Sequence, residues 1–202
     1  MGINLKVFIA GALLIFGMPL AANAITTGEA APDFSLVDTH GQAHQLSQYK
    51  GQVVVLEWMN PDCPFVKKHY GSQNMQNLQK QFTGQGVIWL SINSSAEGKQ
   101  GYYSPQEFNQ IIQNTSALPT AFLLDSNGEV GKLYGAQTTP HMFIINADGA
   151  LVYQGAIDSV ATPDPADIAG AQNYVQSALD EVLAGKPVSV SSTKSYGCSV
   201  KY

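Results

Sequence analysis

The chain has 202 residues and a formal net charge of −5, with fifteen acidic residues against ten lysines and no arginine. A mildly acidic chain without basic runs lacks the positive surface that nucleic-acid binding requires, so no nucleic-acid partner is expected. A chain of this length can bury an adequate core in one domain without cross-links.

The first 24 residues have the pattern of a secretory signal peptide. Lys6 supplies a positive start, an apolar stretch follows, and Ala22-Asn23-Ala24 fits a small-x-small cleavage site. The apolar stretch is short for a membrane span, which disfavours the alternative of an uncleaved anchor. We therefore predict residues 1–24 as a signal peptide, a periplasmic or secreted product, and no stable membrane insertion after cleavage.

Hydrophobic patterning predicts strands that alternate with helices. Apolar alternation and β-branched runs predict strands over residues 33–38, 52–58, 87–92, 121–124, 142–145 and 151–153. Helical spacing with capping signals predicts helices over residues 64–82, 104–114, 129–134 and 171–183. Gly71-Ser72 predicts a kink or interruption in the first helix. This order favours an α/β fold around a mixed sheet, with a main domain over residues 25–187 and an extended tail over 188–202.

Cys63 lies where a predicted buried strand ends and a predicted helix begins. Pro64 suits the first helical turn, and Lys67 adds positive charge one turn along. A sulfur at a helix start faces free backbone N–H groups and the positive end of the helix dipole, which lowers a thiol pKa. The setting predicts a nucleophilic thiolate, against the alternative of a buried, inert cysteine.

The second cysteine, Cys198, lies in the predicted tail. An even number of cysteines in an exported chain usually indicates a disulfide. The spacing is compatible both with a structural bridge that ties down the tail and with a pair that takes part in catalysis.

Four sequence runs resemble one known family. They are Asn60-Pro-Asp-Cys-Pro-Phe-Val-Lys67, Tyr134-Gly-Ala-Gln-Thr-Thr-Pro-His141, Leu151-Val-Tyr-Gln-Gly-Ala-Ile-Asp158 and Tyr196-Gly-Cys-Ser-Val-Lys201. Together they resemble the peroxiredoxin-like redoxins of the alkyl hydroperoxide reductase/thiol-specific antioxidant group, within the thioredoxin-like superfamily. The resemblance implies a thioredoxin-like fold, with a mixed central sheet flanked by helices, and an oxidoreductase with a redox-active cysteine.

The resemblance also implies roles for individual residues. Thr139-Pro140 occupies the place of the family's cis-proline loop, which lies beside the reactive sulfur and pairs with an extended substrate backbone. Glu57 matches the buried acid that accepts a proton in thioredoxins, with an ordinary charge at the sheet edge as the equal alternative. A carboxylate within an apolar strand has a raised pKa, which suits proton transfer near neutrality.

Departures from the family pattern narrow the expected chemistry. Val66 stands where thioredoxins have their second cysteine, so Cys63 has no local resolving partner. Leu56 and Asn60 replace the proline and threonine of peroxiredoxins, and no arginine is present to hold a peroxide. These departures favour thiol–disulfide exchange over peroxide reduction.

We therefore predict an antioxidant-type thiol–disulfide oxidoreductase with Cys63 as nucleophile and Cys198 as resolving thiol. Its partners would be thiol or disulfide substrates and a reducing protein, and peroxide is the alternative substrate. No cofactor or metal is expected. A second alternative is a non-catalytic binding module or a copper carrier that uses His69 or His141, with a structural Cys63–Cys198 disulfide.

Overall fold

The computed structural model describes residues 25–202 together with Gly2. Apart from Gly2, the predicted signal peptide lies outside the described residues. Within the part described, no helix combines the length and apolar character needed to cross a bilayer. The strands are β1 Ser35–Asp38, β2 Ala43–Gln45, β3 Val54–Trp58, β4 Ile88–Asn93, β5 Ala121–Leu124, β6 Thr138–Thr139, β7 His141–Ile145, β8 Leu151–Gly155 and β9 Cys198–Ser199. The helices are α1 Pro64–Gly71, α2 Asn74–Thr83, α3 Pro105–Thr115, α4 Glu129–Tyr134 and α5 Tyr174–Leu183, with short 3₁₀ turns at Leu46–Tyr49 and Pro165–Gly170.

Seven strands form a mixed sheet in the order β2-β1-β5-β4-β3-β7-β8. The central strands β3, β4 and β5 are parallel, and β7 and β8 continue the sheet as antiparallel neighbours. Helices cover both faces of this sheet, which confirms the α/β fold with a mixed central sheet. The predicted strands over residues 142–145 and 151–153 are confirmed as β7 and β8, which pair antiparallel.

Strand β3 carries the chain to the candidate site, and every residue in it is buried. Its alternate side chains Val54, Leu56 and Trp58 pack into the core on one face of the sheet. On the other face, Val55 joins a second apolar cluster that includes Cys63 itself. Both faces are covered, which explains the continuous apolar run of this strand.

The predicted interruption near Gly71-Ser72 is confirmed, because two helices replace one. Helix α1 ends at Gly71, and Gln73 then takes a left-handed conformation with φ of 64° before α2 begins. The predicted start of the last helix at residue 171 is wrong. Asn173, which caps α5 by accepting the N–H of Gln176, is held in extended conformation by a bridge to Asp158.

The tail is extended, as predicted, and it packs along the molecule. Thr193 and Ser191 exchange backbone hydrogen bonds with Gln154 of β8. Further along, β9 pairs antiparallel with β6 as a separate two-stranded sheet. The tail therefore crosses the molecule beside the start of α1.

Candidate active site

Cys63 caps the N-terminus of α1, with Pro64 in the first helical position. The Cys63 N–H donates to the carbonyl of Asn60 at 3.1 Å, and the Asn60 side chain accepts the N–H of Asp62 at 2.9 Å. These bonds fix the short loop between β3 and α1. The Cys63 side chain is buried, with no measurable exposed surface.

The Thr139–Pro140 peptide bond is cis, and it lies beside the Cys63 sulfur. The Cys63 thiol donates to the Thr139 carbonyl oxygen at 3.1 Å. Residues 76 positions apart in the chain thus form one wall of the site. The sequence-predicted pair Thr139 and Pro140 is placed next to the predicted nucleophile.

Cys198 also contacts the Cys63 sulfur. In the β6–β9 pair, Cys198 is directly opposite Thr139, and its backbone N–H points at the Cys63 sulfur at 3.4 Å. Both cysteines are free thiols. The structure thus brings together two cysteines that are 135 positions apart in the sequence.

Gly197 allows this close approach of the tail. Its φ of 131° is a conformation that residues with a side chain rarely adopt. A Cβ atom at Gly197 would overlap the carbonyl oxygen of Thr139. Glycine is therefore required on both steric counts for Cys198 to reach Cys63.

The pKa values of the two thiols are shifted in opposite directions. Burial raises the pKa of Cys63, but hydrogen bonds from the Cys198 thiol, the Val66 N–H and the Cys198 N–H outweigh burial, so the pKa is lowered. Burial raises the pKa of Cys198 to about 11, together with its hydrogen bond to Cys63 and the charge there. The thiolate therefore forms on Cys63, and Cys198 keeps its proton.

Glu57 is fully buried on the face of β3 that packs against α1 and α2. Its carboxylate accepts hydrogen bonds from Tyr70 at 2.8 Å and Trp89 at 2.8 Å, and also from Ser91 and Gln79. Burial raises its pKa, and these donors oppose the rise. Its hydrogen-bonding partners among the described residues do not include Cys63.

The charged residues of α1 point in different directions. Lys67 is exposed and borders an apolar groove of about 210 Å³ with Pro61 and Ile111. Lys68 is buried instead, and its ammonium lies 3.4 Å from Asp158. His69 is also buried and contacts the hydroxyl of Tyr196 at 3.1 Å.

Neither Asp158 nor Tyr196 is among the site residues predicted from the sequence. The only signal available was that Asp158 ends one family-like run and that Tyr196 begins another. Their contact joins positions 38 apart and depends on the path of the tail.

The histidines considered for copper have other partners. Asn74 donates to Nδ1 of His69 at 2.9 Å, and Nδ1 of His141 accepts the N–H of Gln137 at 3.3 Å. Among residues 25–202, no cluster of three or more histidine, cysteine or acidic side chains has an arrangement able to hold a metal ion.

A mixed sheet, a cysteine at the start of a helix and a cis-proline loop beside its sulfur define a thioredoxin-like redoxin. The chain belongs to the AhpC/TSA family, whose pattern matches residues 27–154. The matched segment contains Cys63 and the cis-proline loop and ends before the tail that carries Cys198.

The chain is also similar to three known proteins in sequence or in fold. The thiol-disulfide oxidoreductase ResA of Geobacillus kaustophilus is 33% identical over 122 residues, which cover 54% of this chain and 70% of that protein. An uncharacterized conserved protein of Geobacillus kaustophilus has a crystal structure with a TM-score of 0.75 at 28% identity, covering 89% of this chain and 94% of that one. A putative thiol:disulfide interchange protein DsbE of Chlorobium tepidum shares the fold, with a TM-score of 0.53 at 23% identity over 65% of this chain and 85% of that one.

Proposed function

We propose that the chain is an exported thiol–disulfide oxidoreductase in which Cys63 is the single nucleophile and Cys198 the resolving thiol. The family and the ResA relative support the general activity. The finer assignment depends on one observation: the Cys198 N–H lies 3.4 Å from the Cys63 sulfur, with Cys198 paired to the cis-proline loop.

The reaction proceeds in two exchanges. The Cys63 thiolate attacks one sulfur of a substrate disulfide, the S–S bond breaks, and the other sulfur leaves as a thiolate that takes up a proton. Cys198 then loses its proton, attacks the Cys63 sulfur of the mixed disulfide, and releases the second substrate thiol. The substrate gains two electrons and two protons, and the chain ends with a Cys63–Cys198 disulfide. A dithiol protein of the same compartment would return it to the reduced form.

Other predicted residues take supporting roles in this proposal. Thr139 and Pro140 offer a docking edge for an extended substrate, the edge on which β9 lies in the structure. Lys67, exposed one turn from Cys63, adds positive charge at the entrance. Glu57 would accept a proton only through a relay, because its partners are Tyr70, Trp89, Ser91 and Gln79.

The proposal favours disulfides over peroxides as substrates. The chain has no arginine, so it lacks the planar, doubly donating cation that holds a peroxide. Periplasmic or secreted location follows from the proposed signal peptide, and the substrate would be a protein or small-molecule thiol or disulfide.

The test is the reaction of the reduced full chain with glutathione disulfide, followed by peptide mapping without reduction. We expect two glutathione thiols released per chain and a Cys63–Cys198 disulfide that excess dithiothreitol reduces under native conditions. Cys198→Ser should stop at one glutathione held on Cys63, and Cys63→Ser should not react at a comparable rate.

Three results would contradict the proposal. Glutathione captured first on Cys198 would reverse the roles of the two thiols. A disulfide that native-state dithiols cannot reduce would indicate a structural bridge. Rapid closure by one equivalent of hydrogen peroxide, with no reaction toward disulfides, would indicate a peroxidase instead.

A further inference from the structure

A buried polar cluster lies beside the redox helix and involves the tail. Lys68 and His69 come from α1, Asp158 follows β8, and Tyr196 comes from the tail two residues before Cys198. Lys68, His69 and Asp158 are each at most 2% exposed. Buried charged groups are costly unless they are paired, so this cluster depends on its internal contacts.

The Tyr196 hydroxyl connects the parts of this cluster. It donates to one Asp158 carboxylate oxygen at 2.5 Å. The other Asp158 oxygen lies 3.4 Å from the ammonium of Lys68, which also donates to the carbonyl of Val160 at 2.9 Å. A hydrogen bond from a phenol to a buried carboxylate is among the stronger kinds in proteins.

His69 fixes the direction of the hydrogen bonds. The Asn74 amide donates to Nδ1 of His69 at 2.9 Å, which leaves the proton of neutral His69 on Nε2. That Nε2–H donates to the Tyr196 oxygen at 3.1 Å, and the Tyr196 hydroxyl then donates to Asp158. The pKa of His69 is lowered to about 4, mainly by burial, which agrees with a neutral ring.

The same cluster connects the elements that carry the two sulfurs. The Phe65 ring, two residues after Cys63, lies 5.8 Å from the Tyr196 ring. Gly197 then packs against the Thr139 carbonyl, and Cys198 follows immediately. Anchoring Tyr196 therefore fixes the register in which Cys198 meets Cys63.

We propose that Tyr196 is a positioning residue for the resolving step, because its hydroxyl, held by Asp158 and His69, seats Cys198 on the Cys63 sulfur. This inference rests on the proposed function, since it concerns how fast Cys198 closes on Cys63. It predicts that loss of the tail hydroxyl slows closure of the Cys63–Cys198 bond and does not slow the first attack by Cys63.

The test compares the full chain with Tyr196→Phe, which keeps the ring contact with Phe65 and removes only the hydroxyl. Stopped-flow measurement with glutathione disulfide separates mixed-disulfide formation from closure. We expect closure to slow about tenfold or more, and the equilibrium constant for the Cys63–Cys198 disulfide against glutathione to fall by a similar factor. Formation of the mixed disulfide should be as fast as in the parent chain or faster.

Tyr202→Phe is the matched control. Tyr202 is also a tyrosine of the tail, but its hydroxyl donates to an uncharged group, the backbone carbonyl of Ala136. Its closure rate should change by less than about threefold, since the bond involves no charge. Far-UV circular dichroism checks that both variants are folded. If Tyr196→Phe proves unfolded, His69→Gln replaces it in the test, because it changes another member of the cluster and should likewise slow closure.

The outcomes separate the two proposals. Normal closure in Tyr196→Phe, or equal slowing in Tyr202→Phe, would overturn the positioning role and leave the proposed function intact. Failure of the parent chain itself to form an exchangeable Cys63–Cys198 disulfide would overturn the proposed function.

Discussion

Gly197 is the residue that most directly determines whether the tail reaches Cys63. Its φ of 131° and its contact with the Thr139 carbonyl both exclude a larger side chain. Neither constraint is visible in the sequence, where Tyr196-Gly197 has the appearance of an ordinary turn signal. The requirement for glycine arises from a neighbour 58 positions away that only the folded chain brings close.

We expect Gly197→Ala to displace Cys198 and to lower the yield of the Cys63–Cys198 disulfide at least tenfold, because the new methyl group overlaps the Thr139 carbonyl. The measurement is the disulfide fraction in a glutathione redox buffer. Gly149→Ala is the control, since Gly149 also has a positive φ, of 85°, but has open space around it. Equal losses in both variants would show that backbone strain alone, and not the tail contact, is responsible.

The acidity of Cys63 depends on its neighbour Cys198. We expect the Cys63 thiolate, followed by absorbance near 240 nm, to form at a lower pH than an ordinary cysteine thiol, whose pKa is about 8.5. In Cys198→Ala the titration should shift to higher pH, because the thiol that donates to Cys63 is gone. An unchanged titration would mean that the backbone N–H groups are sufficient to stabilise the thiolate.

At the scale of elements, the unit of β3, Cys63 and α1 was predictable from the sequence. An apolar β-branched run, a cysteine and Pro64 are local signals, and each acts within a few residues. The burial of Lys68 was not predictable in this way, since lysine is rarely buried without a partner. Its partner Asp158 lies 90 positions away, and only the folded chain brings the segment after β8 beside α1.

Glu57, in β3, makes the stability of the folded chain depend on pH. Because its folded-state pKa is raised, the folded chain holds a proton that the unfolded chain loses above about pH 4.5. Stability is therefore lost as pH rises from the unfolded pKa through the folded one. Glu57→Gln lacks this loss and keeps a side-chain oxygen that can accept the hydrogen bond from the Tyr70 hydroxyl.

We expect the difference in unfolding free energy, Glu57→Gln minus parent, to increase with pH above about 4.5, by at most about 1.4 kcal/mol per pH unit. Urea unfolding between pH 4.5 and 8 measures it. The exposed Glu107 has a lowered pKa, caused mainly by the Ser104 N–H, so its contribution to stability changes only below about pH 4.5 and Glu107→Gln should show a nearly constant difference across this range. A difference that does not vary with pH would contradict an elevated Glu57 pKa.

At the scale of the whole molecule, the two cysteines would close a loop of 135 positions. A cross-link of that length restricts the unfolded chain, by about 5 kcal/mol in the loop-entropy treatment. We expect the oxidised chain to unfold at higher urea than the reduced chain, with Cys198→Ser unaffected by oxidant. Equal midpoints for both forms would indicate that forming the bond costs as much in the folded state as it contributes.

The path of the tail was the part of the fold least predictable from the sequence. Its extended conformation follows from its Ser- and Thr-rich composition, but its pairing with β6 does not. A two-residue strand has too few side chains to specify a distant partner by hydrophobic pattern. Position in this case comes from Tyr196, Gly197 and Tyr202, whose contacts are all with distant residues.

The burial of Cys63 beneath the tail also determines the kinetics of its reactions. A reagent too large to slip past β9 can react only during the intervals when the tail is detached. At low reagent concentration the observed rate will rise in proportion to concentration, and at high concentration it will level off at the rate of tail detachment. The plateau would be the same for chemically different bulky disulfides. The rate of tail detachment therefore sets one maximum rate of reaction with Cys63 for all of them.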